Sequence, residues 1–337
     1  MYRPRLAILL ALGSLACAGR ESPTEVAMDQ AGSPAAAATY SPLILGTLGG
    51  QNSWANAVNG AGVVVGYSST PPTGDVHAFR WRNGNMKDLG TLGGPTSIAT
   101  DINAAGQIVG YSETAIGQER AFLWENGVMH NLGTLGGGYS RAHAISPEGH
   151  VVGYSETAAG NQRAFIWRDG KMYNLGPLGG SYSIAQDINR KSQIVGESDL
   201  RAFIKTGSST LRLGTLGGVY SRANAVNSMG LVAGSSELAN GEEHAFLWNG
   251  RKLRDLGTLG GDFSVGEDVG DDGSVVGTSR APNNEIYAFV WKSGTMTALK
   301  GHGGTRSEAF AIGPDGTIAG TSEVAQGVMH ATVWRRQ

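Results

Sequence analysis

Aromatic and arginine side chains recur at the positions of this sequence that are best suited to ligand binding. They lie beside a serine that follows a repeated Leu-Gly-Thr-Leu-Gly-Gly block, and they differ from one copy to the next. Flat rings beside guanidinium groups can bind sugar rings or a peptide. The alternative is that these rings pack between neighbouring structural units, since aromatic side chains are commonly structural. The candidate ligand-binding residues are Trp54, Tyr139, Arg141, Tyr182, Tyr220, Arg222 and Phe263.

The sequence offers no nucleophile motif, because Gly-x-Ser-x-Gly does not occur. A Gly-x-Ser block does repeat, and its serine holds the same position in every copy, which predicts hydrogen bonding to the backbone rather than attack on a substrate. These serines are Ser68, Ser112, Ser155, Ser198, Ser236, Ser279 and Ser322. An enzymatic alternative, a hydrolase or lyase, would use Glu267 and Glu308 with Arg306, where the repeat pattern is broken. We assign no catalytic residue and favour a non-catalytic binding module, with a purely structural surface protein as a further alternative.

Metal and cofactor signals are poor. His-Glu-x-x-His is absent, and the acidic turn at Asp268, Asp271 and Asp272 lacks the Asp-x-Asp-x-Asp-Gly spacing of a calcium loop. The glycine-rich blocks resemble phosphate loops only superficially, because no Lys-Ser/Thr follows and a strand rather than a helix is expected next. We therefore expect neither a metal nor a cofactor.

Two sequence blocks recur seven times and divide the chain into units of 38 to 44 residues. The first block begins at Leu45, Leu89, Leu132, Leu175, Leu213, Leu256 and, in degraded form, Leu299. The second, [HRY]AFxW, begins at His77, Arg120, Arg163, Arg201, His244, Tyr287 and His330, with Lys205 replacing the Trp of the fourth copy and Thr332 the Phe of the seventh.

Each unit contains four short segments separated by turn signals, which we label a to d and predict to be β-strands. In the third unit they are residues 140–146, 150–156, 163–167 and 171–176. Segment c is apolar on both faces, so each unit needs a neighbour on both sides. Four short strands per unit predict an all-β protein, a seven-bladed β-propeller of four-stranded blades.

The two ends of the repeat region predict how the ring closes. Residues 40–46 align with a segment d, whereas the seventh unit ends after its segment c, at Trp334. The N-terminal strand would therefore complete the last blade, leaving no open sheet edge.

Polar residues flank the predicted loop between segments b and c. A mostly acidic position follows each Gly-x-Ser serine, and a mostly basic position precedes each Ala-Phe, so we expect cross-strand pairs, with a ligand-binding polar ring as the alternative. The acidic residues are Glu113, Glu156, Asp199, Glu237 and Glu323, and the basic ones are His77, Arg120, Arg163, Arg201, His244 and His330.

Taken together, the [HR]AFxW, G-x-[IV]-V-G-x-S-E and LGTLGG blocks resemble the bacterial extracellular HAF repeat. The resemblance extends from about Leu45 to Trp334. It implies an exported bacterial repeat protein and brings neither an established activity nor catalytic residues.

The N-terminal residues predict export. Arg3 and Arg5 precede a short apolar run, so residues 1–18 read as a signal peptide that is too short to span a bilayer. Processing by ordinary signal peptidase and lipidation of Cys17, the only cysteine, are competing interpretations. Residues 19–39 would form a flexible linker and residues 40–337 the propeller domain. The protein would be extracellular, or anchored at the cell surface or in the periplasm as a lipoprotein.

The amino-acid composition limits the classes of partner that the protein could bind. With 53 glycines among 337 residues and only 16% charged residues, the chain is unlike a helical bundle. A formal net charge of −2 without basic runs gives no electrostatic footprint for nucleic acid. We expect a monomer that binds carbohydrate or protein.

Overall fold

The computed structural model describes residues 39–337, so the predicted signal peptide, Cys17 and nearly all of the predicted linker lie outside the described residues. Within this range the regular elements are strands, and no helix is present that could cross a membrane. The all-β prediction is therefore confirmed for the described chain. We number the strands in chain order and group them by sequence unit.

The strands before the fourth unit are as follows. β1 spans Tyr40–Gly46; unit 1 contains β2 Ser53–Val58, β3 Val64–Ser69, β4 Val76–Arg82 and β5 Asn85–Asp88. Unit 2 contains β6 Gly93–Ile102, β7 Ile108–Thr114, β8 Glu119–Glu125 and β9 Val128–Asn131. Unit 3 contains β10 Gly136–Ile145, β11 Val151–Thr157, β12 Gln162–Arg168 and β13 Lys171–Asn174.

The remaining units continue the pattern. Unit 4 contains β14 Ile184–Ile188, β15 Gln193–Ser198, β16 Arg201–Thr206 and β17 Ser209–Arg212; unit 5 contains β18 Gly217–Val226, β19 Val232–Leu238, β20 Glu243–Trp248 and β21 Leu253–Asp255. Unit 6 contains β22 Ser264–Val269, β23 Val275–Arg280, β24 Ile286–Lys292 and β25 Thr295–Ala298. Unit 7 contains β26 Ser307–Ile312, β27 Ile318–Ala325 and β28 Val328–Arg336.

The strands form five four-stranded sheets and one eight-stranded sheet. In each unit, strands a, b, c and d pair antiparallel in sequence order. The eight-stranded sheet joins units 1 and 2 through a single parallel bridge between Val76 and Thr96. The last sheet has the order β1-β28-β27-β26, with Tyr40 opposite Arg336 and Leu43 opposite Val333. The predicted pairing of the N-terminal strand with the last unit is confirmed.

The core lies between successive sheets. The phenylalanine of each Ala-Phe block is fully buried, as Phe79, Phe122, Phe165, Phe203, Phe246 and Phe289. Phe122, for example, packs with Val65 and Ala78 of the preceding unit. Burying one such ring contributes roughly 1.5–3 kcal/mol, so stability arises at the junctions between units.

A serine at the start of strand a hydrogen-bonds every unit to the one before it, at the loop end of the sheets. Ser140 accepts a hydrogen bond from the Ala121 amide of unit 2 (2.9 Å) and donates one to the Gly133 carbonyl (2.6 Å). The corresponding Ser53 accepts one from the Ala331 amide of the last unit (2.8 Å). The others in this position are Ser97, Ser183, Ser221, Ser264 and Ser307. This contact explains why the serine recurs in all seven units.

A second set of hydrogen bonds between units lies at the opposite end of the sheets. It is made by asparagines in the turns between strands a and b. The Asn189 amide donates to the Asn227 carbonyl of the next unit (2.8 Å), and Asn59, Asn103 and Asn227 act in the same way. Units 6 and 7 have Gly270 and Gly313 at this position. Two recesses, of about 480 and 340 Å³, open beside these glycines, between units 6 and 7 and between units 7 and 1.

Candidate functional site

The candidate site lies at the loop face, where the d–a and b–c connections meet around the seven inner strands. One side chain from each strand a lines a central cavity of about 140 Å³; they are Asn56, Thr100, His143, Gln186, Asn224, Glu267 and Phe310. Two residues earlier, nearer the loop face, each strand a carries a second residue whose side chain points the same way, because side chains alternate along a strand. Trp54, Arg141, Arg222 and Glu308 occupy this second layer, which we call the mouth.

Each predicted tyrosine is half-buried and hydrogen-bonded rather than free. The Tyr182 and Tyr220 hydroxyls both donate to the Glu197 carboxylate (3.3 Å each), and the Tyr220 bond joins unit 5 to unit 4. The Tyr139 hydroxyl donates to Gln162 Oε1 (3.3 Å). Burial raises the pKa of Tyr220, so the hydroxyl stays protonated at physiological pH. Tyr220 thus joins two units, as the packing alternative expects, whereas Tyr139 and Tyr182 bond within their own units.

Trp54 and Arg141 belong to an aromatic wall on units 1 to 3. Trp54 stacks on Tyr67, with ring centroids 4.8 Å apart. Arg141 lies over the Tyr111 ring (4.4 Å from its centroid) and makes a two-pronged ion pair with Glu119 of unit 2 (2.5 and 2.9 Å). The Arg141 guanidinium is therefore already committed to partners in the neighbouring unit.

Arg222 differs from Arg141. Its Nε is buried and has no hydrogen-bond partner among residues 39–337, and the same is true of Gln186 Nε2 in the adjacent unit. Arg222 is close enough to Glu267 to oppose the rise in the pKa of that carboxyl, and close enough to His143 to lower its pKa further. Two buried donors without acceptors in one wall are uncommon, because such groups cost free energy when unsatisfied.

Phe263 completes the predicted set on unit 6, where Arg280 lies over its ring (6.0 Å). It lines a cavity of about 330 Å³ between units 6 and 7, together with Val265, Ile286 and Phe310. Glu267 and Glu308, the residues of the enzymatic alternative, also line this cavity. Glu308 is ion-paired with Arg306 (2.5 Å).

Glu267 occupies a strand-a position at which other units donate a hydrogen bond to the next unit. Asn56, His143 and Asn224 each bond the inner-strand backbone carbonyl of the following unit (2.8–3.0 Å). A carboxylate cannot donate, whereas a carboxylic acid can. Burial, against the opposing effect of Arg222 and with the help of nearby Glu308, raises the pKa of Glu267 to about 7. Near neutral pH, Glu267 is therefore present in both its protonated and its ionised form.

Three aspartates lie below this layer, on units 2, 4 and 6. Each accepts the amide of its own next residue and an amide of the following unit, as Asp187 does from Ile188 (2.6 Å) and Val226 (2.7 Å). Asp101 and Asp268 repeat the arrangement, reaching units 3 and 7 respectively. Burial raises the pKa of Asp187 to about 7 and that of Asp268 to about 6, and repulsion from Asp101 contributes to both values.

Six of the seven Gly-x-Ser serines bind backbone, as predicted, whereas Ser322 pairs with the Thr332 hydroxyl (2.9 Å). Ser155, for example, accepts from the Leu135 amide (2.9 Å) and donates to the Tyr139 carbonyl (3.0 Å). The predicted cross-strand pairs of acidic with basic side chains do not form within residues 39–337, because strand register puts Glu156 opposite Gln162 and Arg163 opposite Ser155. Four of the five acidic side chains instead accept amides of the d–a loop, as Glu156 does from Gly138 (2.6 Å). Two of the histidines turn to strand d of their own unit, where His77 meets Asp88 (2.7 Å) and His244 meets Asp255 (2.9 Å).

Sequence reasoning missed several residues of the mouth. Tyr67, Tyr111 and Tyr154 occupy the middle of the Gly-x-Ser block in units 1 to 3, and Glu197 takes this position in unit 4. Strand register places this middle residue beside the mouth residue of strand a, as in Arg141 opposite Tyr154. The signal was present, because the middle position varies between units while the flanking Gly and Ser do not.

No group of three or more histidine, cysteine or acidic side chains within residues 39–337 has an arrangement that could hold a metal ion.

Comparison with known proteins identifies the class of fold. The chain is similar to the β-propeller domain of the Trilobed protease from Pyrococcus furiosus (10% identity, TM-score 0.59, 89% of this chain and 97% of that domain). It is also similar to the WD40 β-propeller domain of Doa1 (13% identity, TM-score 0.54, 88% and 97%). TolB from Acinetobacter baumannii matches with a TM-score of 0.48 and 12% identity over 69% of this chain, which spans 61% of that protein.

The likenesses to the Trilobed protease and Doa1 domains, with the four-stranded sheets, establish a β-propeller and no more specific role. Neither a protein-family model nor a curated protein sequence matches the chain.

Proposed function

We propose that this propeller is a non-catalytic binding module that holds a carbohydrate at the mouth of its loop face. The observation that carries the proposal is the pair of buried donors, Arg222 Nε and Gln186 Nε2, which have no acceptor in the described chain. A ligand rich in oxygen atoms would supply the acceptors that these groups lack.

The surroundings of these donors favour a sugar. Half-buried rings border the same opening, and aromatic faces pack well against the apolar faces of sugar rings. The charged groups at the mouth are largely paired with one another, as in Arg141 with Glu119, so the opening does not select strongly for a charged ligand. A protein ligand could contact the same rings, and the glycan-binding experiment distinguishes a carbohydrate ligand from this alternative.

The proposal includes a ring of seven blades, one for each sequence unit. Units 1 and 2 share a sheet through one bridge only, whereas strands within each unit are paired along their length. The serine contact described above recurs at every junction, including that between the last unit and the first. All seven inner strands contribute to one central cavity.

We further propose that the chain is an exported bacterial protein of the HAF repeat type, anchored through Cys17 or released. The support is the N-terminal sequence and the repeated blocks. Replacing Cys17 by Ala is expected to move the protein from the membrane fraction to the soluble fraction. Unchanged membrane association would refute the anchor.

The experiment is a screen of the purified full-length chain against a broad glycan array, followed by calorimetric titration of hits. Two variants test the site: the triple Tyr139→Ala, Tyr182→Ala, Tyr220→Ala, and the single Arg222→Met, which keeps the length of the side chain. Arg168→Met is the matched control, because Arg168 is exposed and lies over Tyr173 on the outer part of unit 3. We expect Arg222→Met to weaken binding at least tenfold and the control to leave it unchanged.

Two results would refute the proposal. The first is the absence of any glycan hit for a folded, monodisperse protein, which would leave a protein partner or a structural role. The second is a hit whose affinity survives both the triple variant and Arg222→Met, because binding would then occur elsewhere on the molecule.

A further inference from the structure

The cavity between units 6 and 7 differs from the other recesses in its lining. Its apolar lining consists of Phe263, Val265, Ile286 and Phe310, and its polar lining consists of two arginines, two carboxyl groups and the Thr278 hydroxyl. Its volume of about 330 Å³ falls within the range of small-molecule pockets, roughly 300–1,000 Å³. The larger recess between the same units lies at the opposite end of the sheets, away from the mouth.

The charges that line the cavity are already balanced. Arg306 binds the Glu308 carboxylate through two nitrogens that both contact Oε1 (2.8 and 2.5 Å). Arg280 binds Asp262 (2.9 Å) and covers the Phe263 ring. Neither a cationic nor an anionic ligand would gain an unpaired counter-charge from these two pairs.

Glu267 connects this cavity to the central one, because it and Phe310 line both. One of its oxygens accepts a weak hydrogen bond from Asn224 (3.3 Å). The charged groups around it come from several elements: Arg222 on β18, Glu243 on β20, Asp268 on its own strand and Glu308 on β26. Because three of these neighbours are acidic and only Arg222 is basic, Glu267 can present a protonated carboxyl to a ligand.

From this lining we infer that the cavity between units 6 and 7 is a subsite for one uncharged pyranose ring of the glycan, held between Phe263 and Phe310. The inference rests on the proposed carbohydrate-binding function and adds the ligand class and the anchoring position. A neutral ring matches the balanced charges, and its apolar face matches the two phenyl rings. Its hydroxyls both donate and accept, so they can bond the donors and the acceptors of the lining. Glu267 in its protonated form would donate to a ring hydroxyl.

The test is calorimetric titration of the full-length chain with neutral hexose hexasaccharides of several linkages and with an oligogalacturonate of the same length. Phe263→Ala and Phe310→Ala are each expected to lower affinity for the neutral oligosaccharide about fivefold to tenfold. Tyr173→Ala is the matched aromatic control, because Tyr173 is 42% exposed on an outer strand. It is expected to change nothing.

Glu267→Gln provides a test that does not depend on removing a large side chain. Because Glu267 ionises near neutral pH, affinity of the natural protein should fall as pH rises from 5.5 to 8.5. Gln donates at every pH in this range, so the variant should bind as the natural protein does at pH 5.5 and should lose most of the decline.

The outcomes separate the two proposals. Failure of every oligosaccharide to bind would refute the function and, with it, the subsite. Binding of a neutral oligosaccharide that is indifferent to Phe263→Ala, Phe310→Ala and Glu267→Gln would refute the subsite and leave the function standing. Binding of the oligogalacturonate but not of neutral sugars would likewise overturn the assignment to an uncharged ring.

Discussion

Replacing Asn189 by Ala tests whether the fastening between neighbouring turns stabilises the ring. Asn189 is 6% exposed, and its amide donates to the Asn227 carbonyl of the next unit and to Gln193 Oε1 (2.8 Å each). Its side-chain oxygen accepts the amides of Lys191 (2.9 Å) and Gln193 (3.1 Å). The substitution therefore removes one hydrogen bond between units and three within the turn itself.

The expected loss follows from these contacts. The bond between units is worth about 1 kcal/mol net, and the Gln193 amide, left without its acceptor in a half-buried turn, adds about 1–2 kcal/mol. The Lys191 amide can turn to water at the surface. Asn227 keeps a second hydrogen bond, from the Gly230 amide, so its carbonyl is not orphaned. Together these effects lower the free energy of unfolding by roughly 2–3 kcal/mol.

Urea unfolding followed by tryptophan fluorescence measures the loss. With a slope of about 3 kcal/mol per molar urea, the midpoint should fall by roughly 0.7–1 M. Asn131→Ala is the matched control, since Asn131 is exposed and caps only the Gly133 amide (2.8 Å), a bond that water can replace. A midpoint shift for Asn189→Ala no greater than that of the control would refute the idea that these asparagines hold adjacent units together.

Three further predictions concern other contacts. Because the raised pKa of Asp187 means that the folded protein keeps a proton which the unfolded chain releases, stability should decrease as pH rises from about 4 to 7 and then level off; Asp187→Asn should flatten this decline in urea midpoints measured at pH 5 and pH 8. Ser140→Ala leaves the buried Ala121 amide without an acceptor and should cost about 2–3 kcal/mol by the same assay, whereas Ser181→Ala at an exposed loop should cost under about 0.5 kcal/mol. Deleting residues 1–46 removes β1 and exposes the edge of β28, so size-exclusion chromatography should show dimers or larger assemblies; a stable monomer would contradict the role assigned to β1.

Much of the scaffold could be predicted because its physical requirements repeat. The Gly of each Gly-x-Ser block is needed wherever strand b passes a bulge in strand a; a Cβ on Gly66 would lie 1.9 Å from the Trp54 carbonyl oxygen. The same requirement in every unit leaves the same residue in every unit, which a single sequence reveals. The strand order and the completion of the last sheet by residues 40–46 follow from the same repetition.

The mouth was harder to predict because its contacts join residues from different units. These residues also occupy different positions within the repeat. Arg141 meets Glu119 and Tyr111 of unit 2, and Tyr220 meets Glu197 of unit 4. Such contacts depend on how one sheet is offset against the next, which the repeat pattern does not record. The cavities beside Gly270 and Gly313 were overlooked for a related reason, since an absent asparagine leaves no positive signal.

The pairing of β1 with β28 has a consequence for the order in which the molecule can be made. A ribosome releases Tyr40–Gly46 among the first residues of the domain and Val328–Arg336 last, so the outer strand of the final sheet must wait for nearly the whole chain. Throughout that interval its backbone amides and carbonyls are open to other strands, including those of sister chains. Assembly of this ring therefore ends with a single late event, and a chain cut short anywhere before residue 328 would retain an unpaired strand at its start.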